Sequence, residues 1–189
     1  MIYRRSDSLS ADLCAECLRN GGIAVIPTDT VYGLSGIVDS VHDTGSAIRR
    51  LKGRSEEKPF IQLIESPGAI FRYTDDVLPS WLEEFWPGPL TVIVNDRRSR
   101  GTTAFRCPGD EWLRNVVALC GSPIYSTSAN ISGEPVLDTE AGIVSVFGDR
   151  ADAVVLDGDR KNSVPSTIID VSCGEIRLVR RGAAAVPQF

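Results

Sequence analysis

The hydrophobic pattern of the chain switches repeatedly between two periods, and nothing else in the sequence constrains the fold as much. Residues 10–19 carry a helical period and stop at Gly21-Gly22. Ile23-Ala24-Val25-Ile26 then forms a short buried-strand pattern ended by Pro27. Further helical segments are predicted over 43–52, with Asp43 or Thr44 as cap, and over 77–85, halted by Pro87-Gly88-Pro89. Two more are predicted over 109–120, closed by Gly121, and over 139–147. Strands are predicted at 60–64, 90–94, 103–106, 123–126, 153–156, 166–171 and 175–180. Interleaved helices and strands, with late strands only a turn apart, imply an α/β or α+β domain with a mixed sheet. No repeat or linker divides the 189 residues, so a single domain over 1–189 is expected.

The same pattern excludes other classes. No apolar run reaches the roughly 18–20 residues of a membrane span. The segment Met1–Asp7 lacks the apolar stretch of a signal peptide, so a cytoplasmic protein is expected. The five cysteines are odd in number and irregularly spaced, which argues against a disulfide framework. Cys14 and Cys17 form a C-x-x-C inside a predicted amphipathic helix and are expected to be core thiols. His42 is the only histidine, so a zinc site with several His ligands is excluded.

The charge composition points to anions. The net charge is −5, yet 17 of the 20 basic residues are Arg. Arginine presents a planar fork suited to carboxylate and phosphate. A local basic cleft in an acidic protein would concentrate anions without making the whole surface sticky.

Neither of the commonest glycine-rich phosphate loops is present. Four other stretches put polar groups directly after strands, where ligands of open α/β sheets tend to bind. Pro27-Thr28-Asp29-Thr30-Val31-Tyr32-Gly33-Leu34 offers hydroxyls, a carboxylate and a phenol. Arg49-Arg50-Leu51-Lys52-Gly53-Arg54-Ser55-Glu56-Glu57-Lys58 gathers five cations around a helix end. Ser126-Thr127-Ser128-Ala129-Asn130-Ile131-Ser132 is dense in hydroxyl and amide groups. Ser166-Thr167 and Arg180-Arg181, together with Arg106, bring polar residues to later strand ends. Taken alone, each stretch is better accounted for by local structure: self-capped or hydrogen-bonded turns, a solvated basic face, or charges on edge strands.

Taken together and in this order, these stretches resemble the YrdC/TsaC family, the threonylcarbamoyl-AMP synthases. Lys52-Gly53-Arg54, Phe85-Trp86-Pro87-Gly88-Pro89-Leu90-Thr91, Ser128-Ala129-Asn130 and Ser166-Thr167-Ile168-Ile169-Asp170 complete the pattern opened by Pro27–Leu34. The resemblance runs from residue 10 to 183 and implies an open twisted mixed sheet flanked by helices, with a basic concave cavity. It implies synthesis of L-threonylcarbamoyl-adenylate from L-threonine, bicarbonate or CO2, and ATP with Mg2+, releasing pyrophosphate. A partner complex would then move the threonylcarbamoyl group to tRNA, and weak contact with tRNA or double-stranded RNA is compatible with it.

By motif, the resemblance makes Lys52 and Arg54 the catalytic phosphate contacts. It assigns Thr30, Tyr32, Arg106 and Ser166 to threonine. It assigns Lys58, Thr102, Ser128, Asn130 and Arg180 to the nucleotide, alongside Lys52 and Arg54, and no protein metal ligand. The chain departs from the family pattern at Ser55, at Leu63, where some members carry a ligand-contacting His, and at Asp138. Arg181 replaces a common Pro, which leaves open whether Arg180 or Arg181 faces the ligand. The competing expectations are an RNA-binding module on the same fold and a paralogue with another substrate.

Overall fold

A computed structural model describes residues 1–53, 59–99 and 101–187. In chain order the elements are β1 (Ile2–Arg4), α1 (Ser10–Arg19), β2 (Ala24–Ile26), β3 (Gly33–Ile37), α2 (Thr44–Lys52) and β4 (Ile61–Leu63). Then come β5 (Leu90–Asn95), β6 (Thr102–Arg106), α3 (Glu111–Cys120), β7 (Ile124–Ser128), α4 (Glu140–Phe147), β8 (Ala153–Leu156), β9 (Thr167–Asp170) and β10 (Arg177–Arg180). The ten strands of the described residues join one mixed sheet in the order β1-β8-β2-β3-β7-β4-β6-β5-β9-β10. β8 lies parallel to β1 and β2, β4 parallel to β6, and β5 parallel to β9; the remaining pairs are antiparallel.

The helices start and stop where their end residues require. Asp43 accepts from Ser46 N at the start of α2, and Gly53 at φ 63° ends it. Asp43 is therefore the cap, while the Thr44 hydroxyl donates to Ile37 O at 2.5 Å. Asp110 and Thr139 cap α3 and α4 in the same way.

Strand alternation divides the core. Ala24, Ile26, Ile37, Leu63, Ile124 and Val155 face α1 and α3. Val25, Leu34 and Val154 pack on the other side with Ile48 of α2 and Ile143 and Phe147 of α4. A third cluster joins Leu90, Val92, Phe105 and Ile169 to Ile70, Leu82 and Trp86.

Three segments differ from the sequence expectation. Residues 77–85 form only a 3-10 turn at Ser80–Glu84, and a second spans Pro67–Arg72. β1 is a short edge strand whose Ile2 pairs with Val154. β3, Gly-Leu-Ser-Gly-Ile, has little strand propensity yet is buried throughout between β2 and β7. Its glycine is imposed by packing: a Cβ on Gly36 would lie 2.7 Å from Thr44 Cβ, where α2 crosses the strand.

β3 also prepares the site. Gly33, Ser35 and Ile37 share a face with Ser128, Ser126 and Ile124 of β7. Ile37 and Ile124 belong to the packed core, whereas Gly33 and Ser128 belong to a cavity. Along one face, the sheet therefore passes from large apolar to small polar side chains, leaving room for a ligand.

Candidate active site

The cavity has a volume of about 390 Å3 and reaches from β3 and β7 across β4 and β6 to β9 and β10. Thr30, Arg106, Ser128, Ser166 and Arg180 line it, with Phe60 and Val136 on its apolar side.

Arg106 is its most constrained cation, 5% exposed at the end of β6. Nε donates to Gly88 O at 3.2 Å and one terminal nitrogen to Thr30 Oγ1 at 3.0 Å. The other terminal nitrogen is paired with the Asp29 carboxylate, whose second oxygen accepts from Gly109 N at 2.9 Å. Burial lowers the Arg106 pKa and Asp29 acts against that effect; a guanidinium in a protein nonetheless stays charged. Of its five N–H donors, three have partners among the described residues, and one on each terminal nitrogen remains for a ligand.

The hydroxyls beside it are oriented. Thr28 Oγ1 accepts from Thr30 N at 3.0 Å and donates to Val31 O at 2.8 Å. Its only proton is then used, so Thr30 supplies the proton in their 2.9 Å contact. Thr30 Oγ1 also accepts from Arg106, which leaves it one lone pair. The wall thus presents donors at Arg106 next to an acceptor at Thr30, a match for a carboxylate beside an amine.

Across the cavity, Ser166 is 2% exposed and its hydroxyl lies 2.8 Å from that of Thr91. Arg180 donates to Ser166 O at 2.8 Å and to Ser166 Oγ at 3.2 Å. Burial lowers its pKa as well. Of the two arginines between which the sequence left the choice open, Arg180 lines the cavity.

Lys52 and the Ser-x-Asn segment come together in a different manner from two parallel ligand contacts. Lys52, 3% exposed, donates from Nζ to Ser128 O at 2.5 Å, and to Asn130 O and Asn130 Oδ1 at 3.0 Å each. Ser128 Oγ donates to Asn130 Oδ1 at 2.7 Å, and Asn130 Nδ2 donates to Ile131 O and Glu134 O. The Asn130 amide is thereby saturated and ties down the turn after β7. Ser128 reaches the cavity wall; Lys52 and Asn130 support it from behind.

Two expected contacts lie elsewhere. Tyr32 is fully buried; its hydroxyl donates to Gly158 O and accepts from Asp157 N, both at 2.8 Å, so it braces the segment after β8 instead of lining the cavity. Burial raises its pKa and keeps the phenol neutral. Thr102 is exposed at the opposite end of β6 from Arg106, beside a second depression with Arg49, Gln62 and Tyr125 that adjoins the cavity at Pro59 and Phe60. Arg54 and Lys58, with Ser55, lie outside the described residues. Leu63 is 1% exposed in the core under α1 and α3.

Sequence reasoning passed over Asp29, Thr28, Gly88 and Thr91 as individual positions. Thr28 and Asp29 stand in the same polar stretch as Thr30, which was the available signal. Gly88 and Thr91 stand in the Phe85–Thr91 motif, but Gly88 acts through a backbone carbonyl and Thr91 sits in an apolar strand pattern, so the motif gave neither a role.

No disulfide forms among the described cysteines: Cys14, Cys107 and Cys120 are buried, Cys17 is half-buried and Cys173 exposed. Burial raises the thiol of Cys17 to about 11 and those of Cys107 and Cys120 to about 12, far from thiolate reactivity. His42 holds Asp39 at 2.8 Å in a surface loop. Among the described residues, no three His, Cys, Asp or Glu converge as a metal site would require.

With this geometry in hand, comparison with known proteins gives a consistent result. The Sua5/YciO/YrdC family profile, described as "Telomere recombination", matches residues 16–182. Threonylcarbamoyl-AMP synthase of Pyrococcus abyssi is 29% identical over 203 residues, covering 100% of this chain and 58% of that protein. The mouse threonylcarbamoyl-AMP synthase is 30% identical over 188 residues, 88% of this chain and 65% of that protein. The chain thus spans about three-fifths of the length of these relatives. Among solved structures, P. abyssi Sua5 complexed with L-threonine superposes with a TM-score of 0.86 at 28% identity, over 96% of this chain and 57% of that one.

Proposed function

Because the chain belongs to the Sua5/YciO/YrdC family, we propose that it makes L-threonylcarbamoyl-adenylate from L-threonine, bicarbonate or CO2, and ATP, releasing pyrophosphate. The observation that carries this reading is the clamped Arg106, with one free N–H on each terminal nitrogen, beside the lone pair of Thr30. A threonine carboxylate fits the first and its amine the second.

The chemistry requires positioning and charge neutralisation more than a protein nucleophile. The uncharged amine of threonine forms a bond to CO2 carbon and loses a proton, giving a carbamate. A carbamate oxygen attacks the α-phosphorus, the bond to the bridging oxygen breaks, and pyrophosphate leaves with the electron pair. Arg180, with Arg54 and Lys58 from the segment outside the described residues, would meet the phosphates. In this proposal Lys52 acts mainly by fixing the Ser128 wall.

ATP would bring Mg2+ on its own phosphate oxygens and water. The donor set fits that arrangement, since among the described residues the cavity offers guanidiniums and hydroxyls and no carboxylate cluster. We further propose a cytoplasmic enzyme that hands its product to a tRNA-modifying complex, with at most weak contact to tRNA itself. Among the described residues no helix is long and apolar enough to cross a membrane.

Pyrophosphate release from ATP and bicarbonate, measured with L-threonine, with L-serine and with no amino acid, tests the proposal. Release that depends on L-threonine is expected; release indifferent to it would refute the reading.

A further inference from the structure

The contact between Thr91 and Ser166 carries a consequence beyond the assignment of Ser166 to the substrate. Thr91 lies in β5 with no exposed surface, so water cannot serve its hydroxyl. Among the described residues, the one hydrogen-bonding partner of that hydroxyl is Ser166 Oγ, at 2.8 Å. A buried hydroxyl proton is rarely left without an acceptor. Thr91 must therefore donate and Ser166 accept.

Ser166 Oγ also receives an N–H from Arg180 at 3.2 Å. A hydroxyl oxygen has two lone pairs and one proton. With both lone pairs occupied, Ser166 can offer only its own O–H, and it lines the cavity. We propose that Thr91 is a positioning residue that fixes Ser166 as an obligate hydrogen-bond donor, so that this wall selects an anionic or carbonyl oxygen of the substrate. This rests on the synthase reading for the identity of that substrate, but the direction of the hydrogen bond does not.

The arrangement opposes Thr30, whose remaining group is an acceptor. The cavity then has a sense: acceptor at Thr30, donors at Arg106, Ser166 and Arg180. An amino acid bound by its carboxylate and amine enters in one orientation only.

Two measurements test the proposal. Neutron diffraction from crystals exchanged into D2O reads the hydrogen bond directly and needs no activity. A deuteron on Thr91 Oγ1 aimed at Ser166 Oγ is expected, with the Ser166 deuteron turned into the cavity. A deuteron running from Ser166 to Thr91 would overturn the proposal while leaving the synthase reading untouched.

The second is a double-mutant cycle on threonine-dependent pyrophosphate release. Thr91→Val should raise the KM for L-threonine about fivefold, the worth of one ordinary hydrogen bond, with the KM for ATP unchanged, and Thr91→Ser should restore it. In a Ser166→Ala background, Thr91→Val should have no further effect on that KM. Additive effects of the two changes would mean that Thr91 only packs the strand. If wild type shows no threonine-dependent release, the synthase reading fails, and the deuteron positions still decide the role of Thr91.

Discussion

Lys52 Nζ lies 3.0 Å from both the main-chain and the side-chain oxygen of Asn130, so the lysine and the Ser-x-Asn signature form a single hydrogen-bonded unit. The lysine leaves the C-terminal turn of α2 and anchors the turn after β7, whose Ser132 N in turn donates to Lys52 O at 2.8 Å. A cation that sequence alone suggests as a direct phosphate contact is here part of the frame that holds the cavity wall.

Replacing Lys52 by Met should therefore cost stability as well as activity. It removes the cation that Ser128 O, Asn130 O and Asn130 Oδ1 share, leaving Ser128 O with Asn130 N and Asn130 Oδ1 with the Ser128 hydroxyl as remaining donors. Hydrogen bonds to a charged group are worth about 1.5–3 kcal/mol, so a loss of about 2–4 kcal/mol is expected. Urea unfolding monitored by fluorescence measures it, and a variant as stable as wild type would show that the unit is dispensable to the fold.

Arg106→Lys keeps the charge but cannot serve Gly88 O, Thr30 and Asp29 together while still offering two N–H groups. L-threonine should raise the melting temperature of the wild type by mass action. That rise should be lost in the lysine variant. An equal rise in both proteins would remove Arg106 from the amino-acid site.

Gly36→Ala tests the seat of α2 on β3. The added methyl would lie 2.7 Å from Thr44 Cβ and 3.0 Å from Ile23 Cδ1. Overpacking of this kind costs about 1–3 kcal/mol. Calorimetry should show a lowered melting temperature, whereas an unchanged one would mean that the helix shifts at no cost.

Asp96 sets an acid limit on stability. Burial alone would raise its pKa, but hydrogen bonds from Arg98 and Thr103 prevail and hold it below the ordinary aspartate value of 3.8. A carboxyl with a depressed folded pKa stabilises fully above its unfolded value and loses that contribution as pH falls through the folded one. The stability gap between wild type and Asp96→Asn should be constant from pH 7 to 5 and shrink below 3.8. A gap that widens on acidification would contradict the hydrogen-bonding account.

Helices α1, α2, α3 and α4 were legible in the sequence because period and punctuation agreed. Asp43 and Gly53, for example, bracket α2 in both pattern and structure. β3 was not legible: its glycines and serine are there for the crossing of α2 and the cavity floor, which are demands of tertiary packing. Residues 77–85 looked helical, but in the structure only Ser80–Glu84 makes a turn and Leu82 and Trp86 anchor in the core. In the site, the family resemblance pointed to Thr30, Arg106, Ser128, Ser166 and Arg180, all of which line the cavity. Tyr32 and Asn130 have the right chemistry, yet backbone groups take up the Tyr32 hydroxyl, and backbone carbonyls together with Lys52 and Ser128 take up the Asn130 amide. Thr91 and Ser166 are 75 residues apart, and only the parallel pairing of β5 with β9 brings them together.

The most direct test of the central claim is to identify the product. The protein would be incubated with ATP, L-threonine and 13C-labelled bicarbonate, and the nucleotides resolved by mass spectrometry. The account predicts an adenylate that carries both threonine and the labelled carbon, formed together with pyrophosphate. Pyrophosphate accompanied only by unlabelled AMP or threonyl-adenylate would contradict it.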